Sequence, residues 1–272
     1  MIAIVGGGRM GRGLALALAD AGERVELAPG RERGAGEAAS MVAEAETIIL
    51  AVPDDAITSV AARLAAGSAI SPGQIVLHLS GLHDRGALAP LEGTGAALGS
   101  MHPLQTVPSA ALAAERWRGA FAALEGDDRA LVEGERLCRL LGLTSVRLPV
   151  GAKPAYHAGA VIASNYTVTL AALASRVAAA AGVDPATAAR IYLPLLRGTL
   201  ESLERLPPAG ALTGPIMRGD VATVRAHLGA LPGEARRLYA VLGTATLALA
   251  LEAGLDRERG GELEVLLGEA AR

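Results

Sequence analysis

The sequence predicts an α/β fold: a mostly parallel sheet in the first half of the chain, followed by an all-α domain. Three observations carry that expectation. Up to about residue 150, short continuous apolar runs rich in β-branched residues alternate with alanine-rich stretches of helix length. That is the pattern of βαβ units around a sheet buried on both faces. After Pro149 the strand pattern stops and only helical patterning remains. The chain has 272 residues, enough for two domains of modest size.

Taken in order, the predicted strands are Ile2–Val5, Val25–Leu27, Thr47–Val52, Gln74–Leu79, Ala96–Met101, Ala120–Leu124 and Ser145–Leu148. Helix-length segments such as Met10–Ala21 and Ile57–Ala66 separate the earlier ones. Pro154–Ala181 reads as one long helix closed by Gly182. Asp184-Pro185 offers an N-cap and a first-turn proline for the next helix, which Pro207-Pro208 ends and in which Pro194 predicts a kink. Asp220 caps a third helix, and Pro232-Gly233 precedes a fourth that reaches Glu252. The expected domains are therefore residues 1–150 and 151–272.

Composition narrows the function classes. Apolar residues make up 51% and charged residues 19% of the chain, so it can bury a real core. The net charge is −3, with no block of like charges, which argues against nucleic acid or an acidic membrane surface as partner. The N-terminus runs straight into a strand with no basic leader, and the longest apolar run, Leu238–Leu251, is too short to span a bilayer. A cytoplasmic location is the expectation. Cys138 is the single cysteine and reads as a buried helix position. The five histidines show no metal-ligand spacing, so no metal site is predicted.

Gly6-Gly7-Gly8-Arg9-Met10-Gly11 carries G-x-G-x-x-G at Gly6, Gly8 and Gly11. It follows an apolar strand and opens an apolar helix, the context that makes the pattern specific for a dinucleotide. The first glycine permits the tight turn, the second lets backbone approach a pyrophosphate, and the third allows helix and strand to pack closely. Arg9 and Met10 share the helix N-terminus, whose free N–H groups attract phosphate. At the end of the second strand, where an NAD site usually has an acid, stand Ala28 and Pro29, followed by Arg31 and Arg33. Two arginines there suit a 2′-phosphate, so NADP(H) is the expected cofactor; solvated loop charges are the plainer reading.

Ligands of open parallel sheets bind beyond the C-terminal strand ends. Val52 and Pro53 follow one such strand, Ser80-Gly81 the next, and Met101-His102-Pro103 the one after. Of 25 basic residues only Lys153 is lysine, and Asn165 is the only asparagine. Lys153 precedes a helix-opening proline, close to a positive helix end that tends to lower its pKa. His157 and Ser164 share its helical face, whereas Asn165 is rotated by roughly 120° from it. Lys153 reads equally well as a surface residue, His157 as a buried hydrogen-bonded histidine and His102 as a loop residue. Arg218, in Thr213–Asp220, is a candidate clamp for a substrate carboxylate, although a plain helix-to-helix turn explains that stretch as well.

Together, Gly6–Gly11, Ala51-Val52-Pro53-Asp54, Ser80-Gly81, Met101-His102-Pro103-Leu104, Lys153-x-x-Tyr156-His157-Ala158, Ala163-Ser164-Asn165 and Gly214–Asp220 resemble the Rossmann-like proteins that carry a small helical domain of undefined function. These are relatives of ketopantoate reductase, the β-hydroxyacid dehydrogenases and pyrroline-5-carboxylate reductase. The resemblance implies a Rossmann domain followed by a helical domain like the C-terminal part of 6-phosphogluconate dehydrogenase, NADP dependence, and a homodimer formed through the helical domain. It implies Lys153 as general acid; the family's asparagine four residues later is His157 here, a departure that bears on the substrate. His102-Pro103 is similar to a pair in prephenate and arogenate dehydrogenases, whose histidine contacts the substrate hydroxyl.

The expected reaction is hydride transfer from NADPH to a small carbonyl compound such as a 2-oxo acid. Lys153 or His102 is the expected proton donor, Ser80 and His157 orient the oxygen, and Asn165 and Arg218 are further substrate contacts. Imine reduction of the pyrroline-carboxylate type, prephenate-type dehydrogenation and a non-catalytic NADP(H)-binding sensor are the alternatives.

Overall fold

The computed structural model of the chain describes residues 1–28 and 35–272, and it divides into two compact units, Met1–Ala163 and Ser164–Arg272. In the first unit the strands β1 (Ile2–Val5), β2 (Val25–Ala28), β3 (Thr47–Leu50), β4 (Ile75–His78), β5 (Ala97–Leu104), β6 (Phe121–Gly126) and β7 (Thr144–Arg147) form one sheet in the order β2-β1-β3-β4-β5-β6-β7. Every neighbouring pair is parallel except β5 with β6. The helices of this unit are α1 (Arg9–Asp20), α2 (Ala35–Ala43), α3 (Ile57–Ala66), α4 (Ala113–Trp117), α5 (Asp128–Leu141) and α6 (Lys153–Val161).

The two-residue period of the strands sorts their side chains into two cores. Ile2 and Ile4 of β1, with Ile49, Leu77, Met101 and Leu124, pack against α1, α4 and α5 around the fully buried Trp117. Ala3 and Val5, with Ile48, Leu50, Val76 and Leu98, pack on the other face against α3 and a 3₁₀ segment at Arg85–Thr94. A sheet buried on both faces explains why its strands read as continuous apolar runs. Cys138 lies in the first of these cores.

Strand β5 is longer than its sequence suggests. Ala97–Ser100 pairs with β4, and Met101–Leu104 continues, paired antiparallel with β6 alone. His102 therefore sits on a strand that overshoots β4, not in a loop after it. Pro103 is tolerated because this part of β5 is a sheet edge, where a missing N–H leaves no ladder bond unmade.

The two units part within the long helical path, between Ala163 and Ser164. Lys153 and the turn after it pack on the sheet of the first unit, and the helical path then passes through a π turn at Ile162–Tyr166 into α7 (Thr167–Ala180). By length and composition Lys153–Ala180 is long and apolar enough to cross a bilayer, unlike the shorter run considered from sequence. Its first residue, Lys153, is buried and bonded to Ser80 and Ser100 at the sheet.

The second unit holds α7, α8 (Pro185–Ala188), α9 (Leu193–Arg205), α10 (Pro208–Ala211), α11 (Val221–Ala230), α12 (Gly233–Glu252) and α13 (Arg257–Ala271). The single kinked helix expected across Pro194 is two helices. Pro194 occupies the first turn of α9, where its missing N–H costs nothing, whereas inside one continuous helix it would leave the Arg190 carbonyl without its donor and clash with it, so the helix restarts here. Helix α13 was not among the predicted elements. It packs closely on α12, because a side chain at Gly260 would meet Leu251 Cδ2 at 2.9 Å and one at Gly243 would meet Leu267 Cδ2 at 2.7 Å. Val224, Leu247, Leu263 and Leu267 form the core of this unit. Helices α7, α11 and α12 also line an apolar cavity of about 480 Å³ whose polar groups include His227 and Tyr239, hydrogen-bonded at 2.9 Å.

Candidate active site

The glycine-rich turn leaves β1 at the sheet edge where the strand order switches direction. Gly6 has φ of +123°, and a Cβ there would lie 2.3 Å from the Ala51 carbonyl oxygen. A Cβ at Gly11 would lie 1.9 Å from the Gly6 carbonyl oxygen. Both must be glycine for β1, α1 and the end of β3 to close up. Gly8 differs: a Cβ there would meet nothing within 4 Å. It is the N-cap of α1, and no side chain caps the helix. Open space before an uncapped helix N-terminus fits an anionic pyrophosphate. Arg9 is exposed here, Met10 half-buried, and Val52 and Pro53 follow β3 on the same edge. Arg31 and Arg33 lie outside the described residues.

A polar cluster stands at the same carboxyl edge, after β4 and on β5. Lys153 opens α6 with Pro154 in the first turn, and Lys153, Tyr156 and His157 share one helix face. The Lys153 ammonium donates to the Ser80 carbonyl at 2.5 Å and to Ser100 Oγ at 2.8 Å. Its side chain is 0% exposed and Ser100 is 1% exposed. One turn on, Tyr156 Oη lies 3.1 Å from His102 Nδ1, with the two rings edge to face. His157 stands edge to face with His102 at a centroid separation of 5.8 Å. Gly81 makes this packing possible, since a Cβ there would lie 2.5 Å from His157 Nδ1 and 2.9 Å from His102 Nε2.

The loop beneath the cluster is tied down by hydrogen bonds. Ser80 Oγ donates to Asp54 Oδ2 at 2.8 Å and accepts from the backbone N–H groups of Leu82 and His83. Ser80 N–H donates to His78 Nδ1, so the other ring nitrogen carries the proton and donates to the Asp84 carbonyl at 3.0 Å. Glu125, opposite Ser100 in the sheet register, is buried and accepts from Arg85 N–H at 2.7 Å.

Burial sets the charge states. It pushes Lys153 down to about 8, against the attraction of Glu125, Asp54 and Asp84. Loss of solvent, followed by the Lys153 and His157 charges, holds His102 down at about 4. His78 is likewise held at about 4, by burial first. Near pH 7 the site therefore combines a buried ammonium with neutral His102 and His78. His157 Nδ1 is buried and has no hydrogen-bond partner among the described residues, the mark of a group that meets its partner in a ligand or solvent.

Of the sequence candidates, Lys153, His102, His157 and Ser80 come together. Asn165 and Arg218 belong to the second unit and are exposed there; Arg218 lies in the turn that Asp220 closes as cap of α11. Sequence reasoning missed Tyr156 as a site residue, although its i+3 spacing from Lys153 was a usable signal. It also missed Ser100 and Glu125, which read as ordinary strand positions.

Residues 1–103 match the model of a Rossmann-like domain, and residues 120–246 match that of a domain of unknown function, DUF2520. No curated protein matches the chain in sequence. Among solved structures, protein TM1727 of Thermotoga maritima is 24% identical with a TM-score of 0.66, covering 96% of this chain and 98% of its own. Protein BF3122 of Bacteroides fragilis is 21% identical with a TM-score of 0.64, covering 93% and 96%. A reductive aminase of Aspergillus terreus, in complex with NADPH and ethyl levulinate, is 17% identical with a TM-score of 0.58, covering 100% and 93%. These likenesses are likenesses of fold. The chain is thus similar to a Rossmann-like domain over residues 1–103 and to DUF2520 over residues 120–246.

Proposed function

We propose that this protein is an NADPH-dependent oxidoreductase that reduces a small carbonyl compound, such as a 2-oxo acid, to the corresponding alcohol. One observation carries the reading: the first unit places a buried cation and neutral N–H and O–H groups on the same sheet edge as an open, uncapped, glycine-lined helix start. NADPH supplies a hydride. The absence of an acid at Ala28 and Pro29, with Arg31 and Arg33 following in sequence, favours the phosphorylated cofactor. The fold relative solved with NADPH supports the same choice.

A carbonyl that gains hydride develops negative charge on oxygen, and fixed donors and positive charge aimed at that oxygen lower the barrier. Lys153 suits that task as a buried positive charge whose direct partners are neutral oxygens, Ser80 O and Ser100 Oγ. It would oppose a cationic iminium, which favours carbonyl over imine reduction. His102 is half-buried, unlike Lys153, and is the group that hands a proton to the oxygen; His157 orients it. Ser80 holds the loop through Asp54 and two backbone N–H groups, acting on the substrate indirectly. In the same reading, exposed apolar residues of α7 and α9, among them Val168 at 70% and Leu195 at 67% exposure, form a homodimer surface.

NADPH consumption with 2-oxo acids, aldehydes and cyclic imines tests the reading. Turnover with one carbonyl class and none with imines is expected. Turnover with imines alone would replace carbonyl by imine chemistry.

A further inference from the structure

We infer that Tyr156 provides, through His102, the proton taken up by the reduced substrate, so that Tyr156–His102 works as a neutral two-residue relay. The inference rests on the carbonyl-reductase reading above and adds a residue and a proton path to it.

His102 has two ring nitrogens with different surroundings. Nδ1 faces Tyr156 Oη at 3.1 Å, and Nε2 faces Gly81 beside the buried, unpartnered Nδ1 of His157. The distances from the Gly81 side-chain position to Nε2 of His102 and Nδ1 of His157 are 2.9 Å and 2.5 Å, so the two nitrogens are at most about 5.4 Å apart. One oxygen atom can bridge two nitrogens at that separation with ordinary hydrogen bonds.

If Tyr156 donates to Nδ1, the neutral ring must carry its proton on Nε2, aimed at that oxygen. Burial and the Lys153 charge oppose an imidazolium, so His102 can release the Nε2 proton only if Nδ1 gains one. Tyr156 Oη is in hydrogen-bonding reach of Nδ1 and can supply it. In the full step, hydride adds to the carbonyl carbon and the carbonyl π pair becomes an alkoxide. The alkoxide takes the Nε2 proton and Nδ1 takes the phenol proton; the pair resets when Nε2 gains a proton from solvent and Nδ1 returns its own to the Tyr156 phenolate. His102 begins and ends neutral. The transfer runs downhill because an alkoxide is far more basic than a phenolate, even one whose pKa burial has raised.

Tyr156 acts through His102 and is thus a positioning and relay residue. Tyr156→Phe keeps the ring packing and removes the hydroxyl, which tests the relay. We expect unchanged melting temperature and NADPH-induced stabilisation, KM within about twofold, and kcat lower by about a hundredfold, as for loss of acid–base catalysis. Residual kcat should rise as pH falls from 8 to 5.5, because His102 must then be protonated before it donates. Nitrogen-15 NMR of the wild type should show His102 as the neutral Nε2–H tautomer, and the variant should lose that preference. An active wild type with an equally active Tyr156→Phe variant, or an Nδ1–H tautomer in the wild type, overturns the relay alone. A wild type inactive on every carbonyl overturns the relay together with the reading on which it rests.

Discussion

Replacing Lys153 by methionine tests the buried cation through stability alone, without knowledge of the substrate. The ammonium is fully buried, and loss of solvent lowers its pKa from 10.5 to about 8. Below pH 8 the folded and unfolded chains both hold the proton, and the burial penalty is present in full. Between pH 8 and 10.5 the folded chain releases the proton first while the unfolded chain keeps it, so stability rises with pH. At about 1.4 kcal/mol per pKa unit, the shift amounts to about 3.4 kcal/mol, of which about 2.4 kcal/mol falls between pH 7.5 and 10. Lys153→Met removes this titration. It also leaves the Ser80 carbonyl and Ser100 hydroxyl without their donor, a pH-independent cost of about 1–3 kcal/mol per unsatisfied group. The half-buried Tyr156 and Tyr239, whose pKa values burial raises, titrate in both proteins and cancel in the difference. Urea unfolding at pH 7.5 and pH 10 measures it. The wild-type minus variant stability should increase by about 2–3 kcal/mol over that interval. Parallel pH dependences in the two proteins would refute a buried, desolvated Lys153.

Three further outcomes follow from the geometry. Gly81→Ala forces a methyl group against His157 and His102; displacing groups by about 1 Å can cost about a hundredfold in rate, so kcat should collapse while NADPH still stabilises the protein. Gly8→Asp adds a carboxylate where nothing lies within 4 Å, so the apo melting temperature should change little while NADPH-induced stabilisation disappears; persistence of that stabilisation would move the phosphates elsewhere. Cys138 is buried, and burial pushes its thiol up to about 11; an aromatic disulfide reagent should therefore react with it only after unfolding, and rapid labelling of the native protein would contradict the packing.

Much of the fold was legible because its signals are local. The G-x-G-x-x-G spacing, the continuous apolar strands and the switch to helical patterning after Pro149 each follow from backbone needs within a few residues. The lysine–histidine face was legible for the same reason, since four residues bring a helix face round again. What escaped depends on neighbours far along the chain. The extension of β5 through His102 needs β6 as its partner, and nothing around Pro103 announces it. The helix spanning Gly260-Gly261 has no strong local signal, because its two glycines fit only where Leu251 occupies the space that a side chain at Gly260 would need. Tyr156 looks like an ordinary aromatic residue in a helix until His102 arrives from 54 residues away.

The central claim is that this sheet edge passes hydride to a carbonyl carbon and that His102 protonates the resulting oxygen. Deuterium transfer from NADPH labelled at the hydride-donating carbon tests it most directly, with wild type and His102→Gln compared on the best carbonyl substrate. The account predicts deuterium on the carbinol carbon of the wild-type product. It also predicts that His102→Gln binds NADPH normally while losing turnover by about a hundredfold or more. Product without deuterium, or a His102→Gln variant as fast as wild type, would contradict it.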